Sequence, residues 1–408
     1  TKIFTSIAIV KLAEEGKIDL NDKIIKYIPE LKNIDETGYD INNIKIKNLL
    51  THTSGLPMNS DYHWDEKKLN EPISFSTVLD RIKNQKIINK PNRKFKYSNL
   101  GMTIGGILIE RISGMKYHQY IEKNIFKILD MSNSSFSVEG EDNNNVAIGY
   151  TNLINKKREE HIFTNMVGKI DQPGAGAMST INDLANFVKW HFRVLDENDN
   201  SIISKKSLND MQKIKWAGLP FNSHPIIMSI ISFFMNNFYN YGYGYGYQTN
   251  GKFVGHSGGH YGFSSELLMD NENKIGIIIL SNTSDTPLRL EQNYSISKNL
   301  YEIVASSFLN EQNDENPTYA NYANTYSDNF FMNINISANG DHLVIHDLNN
   351  PFPLNSSLIY ENIGLDKFRS ISDVGLNYSK GESEIVFIRN SSNEIISLKT
   401  NTFTLYPY

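Results

Sequence analysis

Residues 91–114 read "PNRKFKYSNLGMTIGGILIERISG", and the stretch changes character in its middle. Its opening is polar and carries a proline, as a loop does. From Leu100 the apolar residues Leu100, Ile104, Ile107, Leu108 and Ile112 recur at helical intervals before Gly114, which predicts a buried helix with a glycine stop. Tyr97-Ser98-Asn99 therefore stands where a loop enters a helix, with a phenol and an amide side by side.

Upstream, Ile3, Phe4, Ile7, Ala8, Val10 and Leu12 are apolar nearly all round a predicted helix over 3–15, and Gly16 follows as its C-cap. Lys2 stands at its head. "KIDLNDKIIKYIPEL" (17–31) reads as a turn and short helix, and "IKNLLTHTSGLP" (46–57) as a helix ending in a tight loop. Residues 139–170 are polar and irregular, "PGAGAMST" (173–180) is a Gly-rich turn, and "INDLANFVKWHF" (181–192) is amphipathic. The apolar part of Pro225–Phe238 falls well short of the roughly 20 residues that span a bilayer. It reads as a buried or interface helix rather than a lid or a transmembrane segment.

From Tyr241 short strands alternate with turns at Asn250-Gly251 and Asp270-Asn273, an antiparallel sheet. The Tyr/Gly alternation at 241–247 reads as a strand packed closely on its neighbour. A last helix carries Ile296, Leu300, Ile303, Val304 and Phe308. The polar run at 309–317 reads as a linker, and residues 318–408 as a small antiparallel β domain, lipocalin-like or sandwich.

Composition narrows the function classes. The chain has 408 residues, 39% of them apolar and 21% charged, with a net charge of −5 and no long run of one sign. That balance excludes a nucleic-acid footprint and leaves small-molecule or peptide substrates open. There is no cysteine, so disulfides, thiolate zinc sites and a cysteine nucleophile are excluded.

Three short stretches can carry chemistry in combination: Thr1-Lys2 heading a buried helix, Tyr97-Ser98-Asn99, and His256-Ser257-Gly258-Gly259 on a strand. In that order they resemble the penicillin-binding-protein-like, or class C β-lactamase-like, serine hydrolases. That group includes D,D-carboxypeptidases, D-aminopeptidases and esterases, and its three elements are Ser-x-x-Lys, Tyr-x-Asn and Lys-Thr-Gly or His-x-Gly. "LAEEGKIDLND", "LLTHTSGLP", "PGAGAMST" and "GHSGGHYGFSS" extend the likeness over about residues 1–308. The resemblance implies an α/β (α+β) fold, an antiparallel sheet flanked by helices with a helical part over about 40–240, followed by a small barrel-like domain.

The same resemblance implies roles. Lys2 is the lysine of the first element, so the serine nucleophile falls two places before Thr1, outside the sequence. Residues three apart share a helix face, which brings amine and hydroxyl together. Lys2 and Tyr97 are then catalytic, the phenol shuttling the proton. Asn99, His256, Gly258 and Gly259 bind substrate, with the Gly259 N–H donating to the oxyanion. The implied reaction is acyl-enzyme hydrolysis of a peptide, amide or ester bond outside the cytoplasm, β-lactams being a side substrate, with no cofactor. His256 in place of lysine points toward the aminopeptidase, carboxypeptidase or esterase branches. As written from Thr1 the chain lacks that serine and is expected to be inactive, with an unpaired edge beside Ile275–Leu280. The alternative is a non-catalytic ligand-binding or scaffold protein on the same fold.

Other chemistry fits the residues less well. Thr1, Thr5 and Ser6 do not occupy the attacking position, and His52 with Ser54 reads as a structural loop. His256 and His260 are separated by two glycines, against a helical metal pair. Asp196–Ser207 lacks the glycine and glutamate of a calcium loop, and residues 174–177 lack the lysine of a phosphate loop.

Overall fold

The computed structural model describes residues 1–35, 37–59, 74–137, 146–150, 160–161, 172–197, 199–217, 242–260, 262–283, 293–294, 296–301, 303–305, 319–327, 333–339, 342–347, 358–370, 384–400 and 404–407. The apolar segment 225–238 and the expected linker 309–317 lie outside them. The chain divides into two compact units, Thr1–Glu291 and Gln292–Tyr408.

In the first unit, helix α1 (Lys2–Glu14) is buried around almost its whole circumference, polar Lys2, Thr5 and Ser6 included, and so needs no single apolar stripe. Three-ten turns at Ile24–Lys26 and Pro29–Asn33 fill the place of the expected short helix. Helices α2 (Ile46–Leu50) and α3 (Phe75–Asp80) follow. In α4 (Asn99–Ser113) the Ser98 hydroxyl accepts the Gly101 N–H at 2.9 Å, and Gly114 ends the helix at φ +71°. That is the left-handed stop glycine adopts without strain. Helix α5 (Tyr117–Ile121) runs into a π turn at Glu122–Phe126. Then come α6 (Gln172–Ala175), α7 (Ile181–Asp196) and α8 (Lys205–Gln212), the last two capped by the hydroxyls of Thr180 and Ser204.

Phe4 of α1 meets Phe126 and Phe187 edge to face, with ring centroids 5.1 and 5.2 Å apart. Small residues on α4 let its neighbours close in. A Cβ on Gly105 would come within 3.1 Å of Ile9, and one on Gly106 would collide with Pro173.

A two-stranded ribbon joins β1 (Gly149–Tyr150) to β2 (Glu160–His161). The main sheet is antiparallel and runs in chain order: β3 (Trp216–Ala217), β4 (Gly242–Tyr243), β5 (Gln248–Thr249), β6 (Phe253–His260), β7 (Phe263–Asp270) and β8 (Ile275–Ser281). Val254, Leu267, Met269 and Ile278 bring one face into the helical core. Among the described strands β8 pairs only with β7.

The Tyr/Gly run is not one strand. It stops at Tyr243, bends, and resumes at Gln248. Gly246 takes φ +75° and donates its N–H to the Leu50 carbonyl at 3.0 Å, and a Cβ there would strike the Ser6 hydroxyl of α1. Alternation here serves close approach to a helix, and period two alone does not separate that from a strand.

The second unit closes β9 (Asn324–Ser327), β10 (Asn333–Asn339), β11 (His342–Asp347), β12 (Leu358–Gly364), β13 (Lys367–Ser370), β14 (Glu384–Arg389), β15 (Ile395–Thr400) and β16 (Thr404–Pro407) into an antiparallel barrel, β16 pairing back to β9. Closure leaves no free edge. One buried cluster that includes Tyr326, Leu343, Tyr360, Phe368, Phe387 and Leu405 forms its core. Asp366 accepts from the Tyr322 hydroxyl at 2.8 Å and from Arg389 Nε at 2.9 Å, and the guanidinium lies over the Tyr322 ring.

Candidate active site

Lys2, only 7% exposed, opens α1. Its Nζ donates to the Gly174 carbonyl at 2.8 Å and lies 4.9 Å from the centroid of the Tyr97 ring. Gly174 belongs to the Gly-rich turn at α6, so that turn anchors the ammonium. The Tyr97 face supplies cation–π attraction.

Tyr97 is half-buried. Its ring lies 4.2 Å from that of His52 and 6.4 Å from that of His256. Two residues on, Asn99 begins α4. Its backbone N–H donates to the Met58 carbonyl at 2.7 Å and its side-chain amide to Asn59 Oδ1 at 2.8 Å.

Strand β5 pairs with β6 only at Val254 and Gly255, so from His256 to His260 that edge of β6 is open among the described strands. The Ser257 N–H points to this side, donating to Gln248 Oε1 at 3.2 Å. Backbone groups two apart on a strand face the same way, which turns the Gly259 N–H to the same open edge. Gly258 pairs with Ser265 on β7, whose hydroxyl stands where a Cβ would go.

Behind the Tyr97 ring a chain of hydrogen bonds crosses the unit. The Ser98 N–H donates to His52 Nδ1 at 3.1 Å, and His52 Nε2 is 3.1 Å from the Tyr243 hydroxyl. That hydroxyl is 2.9 Å from His256 Nε2, and His256 Nδ1 meets the Ser257 carbonyl. Burial first, then the Lys2 charge, holds the His52 imidazole well below its usual range and pushes His256 down to about 3. Burial drives the Tyr243 phenol well above 10.

Residues 1–300 match the family model described as Beta-lactamase. The chain belongs to the beta-lactamase family. It is 28% identical over 324 residues to Protein flp of Staphylococcus aureus (strain MRSA252), covering 77% of this chain and 58% of that one. With Penicillin-binding protein 4* of Bacillus subtilis it shares 27% identity over 302 residues, 70% of this chain and 60% of the relative. The chain thus spans about three fifths of the curated relatives it matches. Two solved structures share the fold. An octameric penicillin-binding protein homologue from Pyrococcus abyssi has TM-score 0.58 at 23% identity, covering 99% of this chain and 86% of the other. A D-stereospecific amidohydrolase from Streptomyces sp. has TM-score 0.56 at 21% identity, covering 72% and 84%. Among the described residues no helix is long and apolar enough to cross a membrane.

In this beta-lactamase-family chain Lys2, Tyr97 and His256, up to 254 positions apart in sequence, come together. Asn99 flanks the Gly174 turn, its Oδ1 3.6 Å from where a Cβ on Gly174 would stand. Sequence alone places His52 with Ser54 in a structural loop and gives Tyr243 no role of its own. His52 was legible only as part of a tight turn, and its φ of +53° marks that turn. Tyr243 was one tyrosine in an alternating run.

Proposed function

We propose that the protein is a serine hydrolase that opens a peptide, amide or ester bond through an acyl-enzyme. The observation that carries this reading is the seat of Lys2, a buried amino group held by Gly174 and 4.9 Å from the centre of the Tyr97 ring. A serine two places before Thr1 would share its helix face. With Lys2 in its amine form, the hydroxyl proton passes by way of the Tyr97 phenol to Nζ as Oγ attacks the carbonyl carbon, and the oxyanion accepts from the Gly259 N–H. Tyr97 returns the proton to the leaving group, and water repeats the sequence to release the acid. Asn99 holds the substrate amide, while Gly258 and His256 border the strand edge along which it lies. The D-stereospecific amidohydrolase among the structural neighbours favours amide bonds, and the penicillin-binding relatives favour β-lactams as side substrates. By family resemblance the protein works outside the cytoplasm.

The test is covalent labelling. Protein carrying a serine at that place should react there with a fluorophosphonate and with a penicillin probe, and Lys2→Ala should slow labelling at least 100-fold. No labelling by either probe overturns the reading. The chain from Thr1 alone should stay unlabelled, and a label on Thr1, Thr5 or Ser6 would reassign the nucleophile.

A further inference from the structure

The hydrogen-bond chain from Ser98 to Ser257 has a direction that its two ends impose. A backbone N–H can only donate, so the Ser98 amide leaves His52 Nδ1 bare. A neutral ring then carries its hydrogen on Nε2 and donates it to the Tyr243 oxygen. At the far end a carbonyl can only accept, so His256 donates from Nδ1 to Ser257 and keeps a lone pair on Nε2. The Tyr243 hydroxyl accepts from one imidazole and donates to the other. Each ring nitrogen has one role, and a second proton on either ring would set two donors against each other.

We infer that His52 and Tyr243 are positioning residues: their one-way relay locks His256 as the Nδ1–H tautomer and ties the Tyr-x-Asn loop to the His-x-Gly strand, so that Tyr97 is held over Lys2. Several observations carry this. The relay ends on the middle residue of each motif, Ser98 and Ser257. His52 is wholly buried, adopts φ +53°, and packs at a tilt against Tyr97. A side chain kept at that backbone conformation is held by its surroundings. Phe95 packs on both His52 and Tyr243, at 5.8 and 5.5 Å between ring centres. Among the described residues Lys2 and the Thr1 amine at the head of α1, and Tyr97 from the loop before α4, are the titratable groups that act on the relay from outside. No carboxylate bonds to either imidazole among the described residues, so nothing offsets a second proton.

The catalytic part rests on the serine-hydrolase reading; the tautomers do not. Nitrogen-15 NMR of the unaltered protein should show His52 fixed as Nε2–H and His256 as Nδ1–H from pH 8 to 5, with neither titrating near the ordinary 6.5. Either ring titrating there, or exchanging tautomers, overturns the relay whether or not the protein is an enzyme. Tyr243→Phe keeps the ring and removes both central bonds. Its His256 should then show mixed tautomers, its acylation rate should fall at least tenfold with probe KM within twofold, and the acid limb of its pH profile should move up. Fixed tautomers with acylation unchanged would overturn the proposal. If Tyr243→Phe does not fold, His52→Asn serves, because its Oδ1 can still accept from Ser98 while the bond to Tyr243 is lost. The same shift in His256 is expected, and an unshifted His256 overturns the relay.

Discussion

The phenol of Tyr97 does two jobs that a single atom separates. Its ring packs on His52 and under Lys2, while its hydroxyl is the group the proposed proton transfer needs. Tyr97→Phe should therefore leave the unfolding free energy from a urea curve within about 0.5 kcal/mol of the parent. Acylation by a penicillin probe should fall by about 10²- to 10⁴-fold, the usual worth of one acid–base group. Stopped-flow labelling beside a denaturation curve separates the two effects. A fall in stability with acylation retained would assign Tyr97 to packing alone.

At the scale of elements, α4 is where sequence and packing meet most directly. Its start and stop were legible, since a capping serine and a terminal glycine act on their own neighbours. The reason for Gly105-Gly106 was not. These residues face Ile9 and Pro173 across the unit, and only the fold brings those partners near. Gly106→Ala should cost about 1–3 kcal/mol by overpacking, read as a lowered urea midpoint, whereas an unchanged midpoint would show that α6 gives way freely. In the barrel, Phe368 is fully buried and meets Tyr322 and Phe387 edge to face at 5.1 and 5.7 Å. Phe368→Ala should cost that unit about 3–5 kcal/mol, followed by near-UV circular dichroism.

Across the whole molecule the buried imidazoles set a pH dependence. His52 is held well below its ordinary value, His256 at about 3 and His191 at about 4, each first by burial. The folded form keeps them neutral, while the unfolded chain binds their protons below about 6.5. Their contribution is thus complete above 6.5 and is lost as pH falls toward the folded values. Glu266 opposes them, since burial raises its carboxyl well above 4.5 and its contribution is lost as pH rises. Each imidazole should remove on the order of 1–2 kcal/mol between pH 7.5 and 5, so the urea midpoint should drop over that range. Glu266→Gln should make the drop larger, and a midpoint flat from 7.5 to 5 would refute the balance.

The sequence by itself determined the elements and the order of the three motifs. Helical period, capping residues and turn dipeptides act between neighbours in the chain, so Lys2, Tyr97-Ser98-Asn99 and His256-Ser257-Gly258 could be read where they stand. It also set the barrel's alternating strands, because inside and outside differ at every second residue. Tertiary structure alone decided that the Tyr/Gly run bends against α1 and that His52 meets Tyr243. Those two residues are 191 positions apart, and no local pattern records a hydrogen bond over that distance. The direction of the relay was decided last of all, by a backbone N–H at one end and a carbonyl at the other that only the folded chain brings into line.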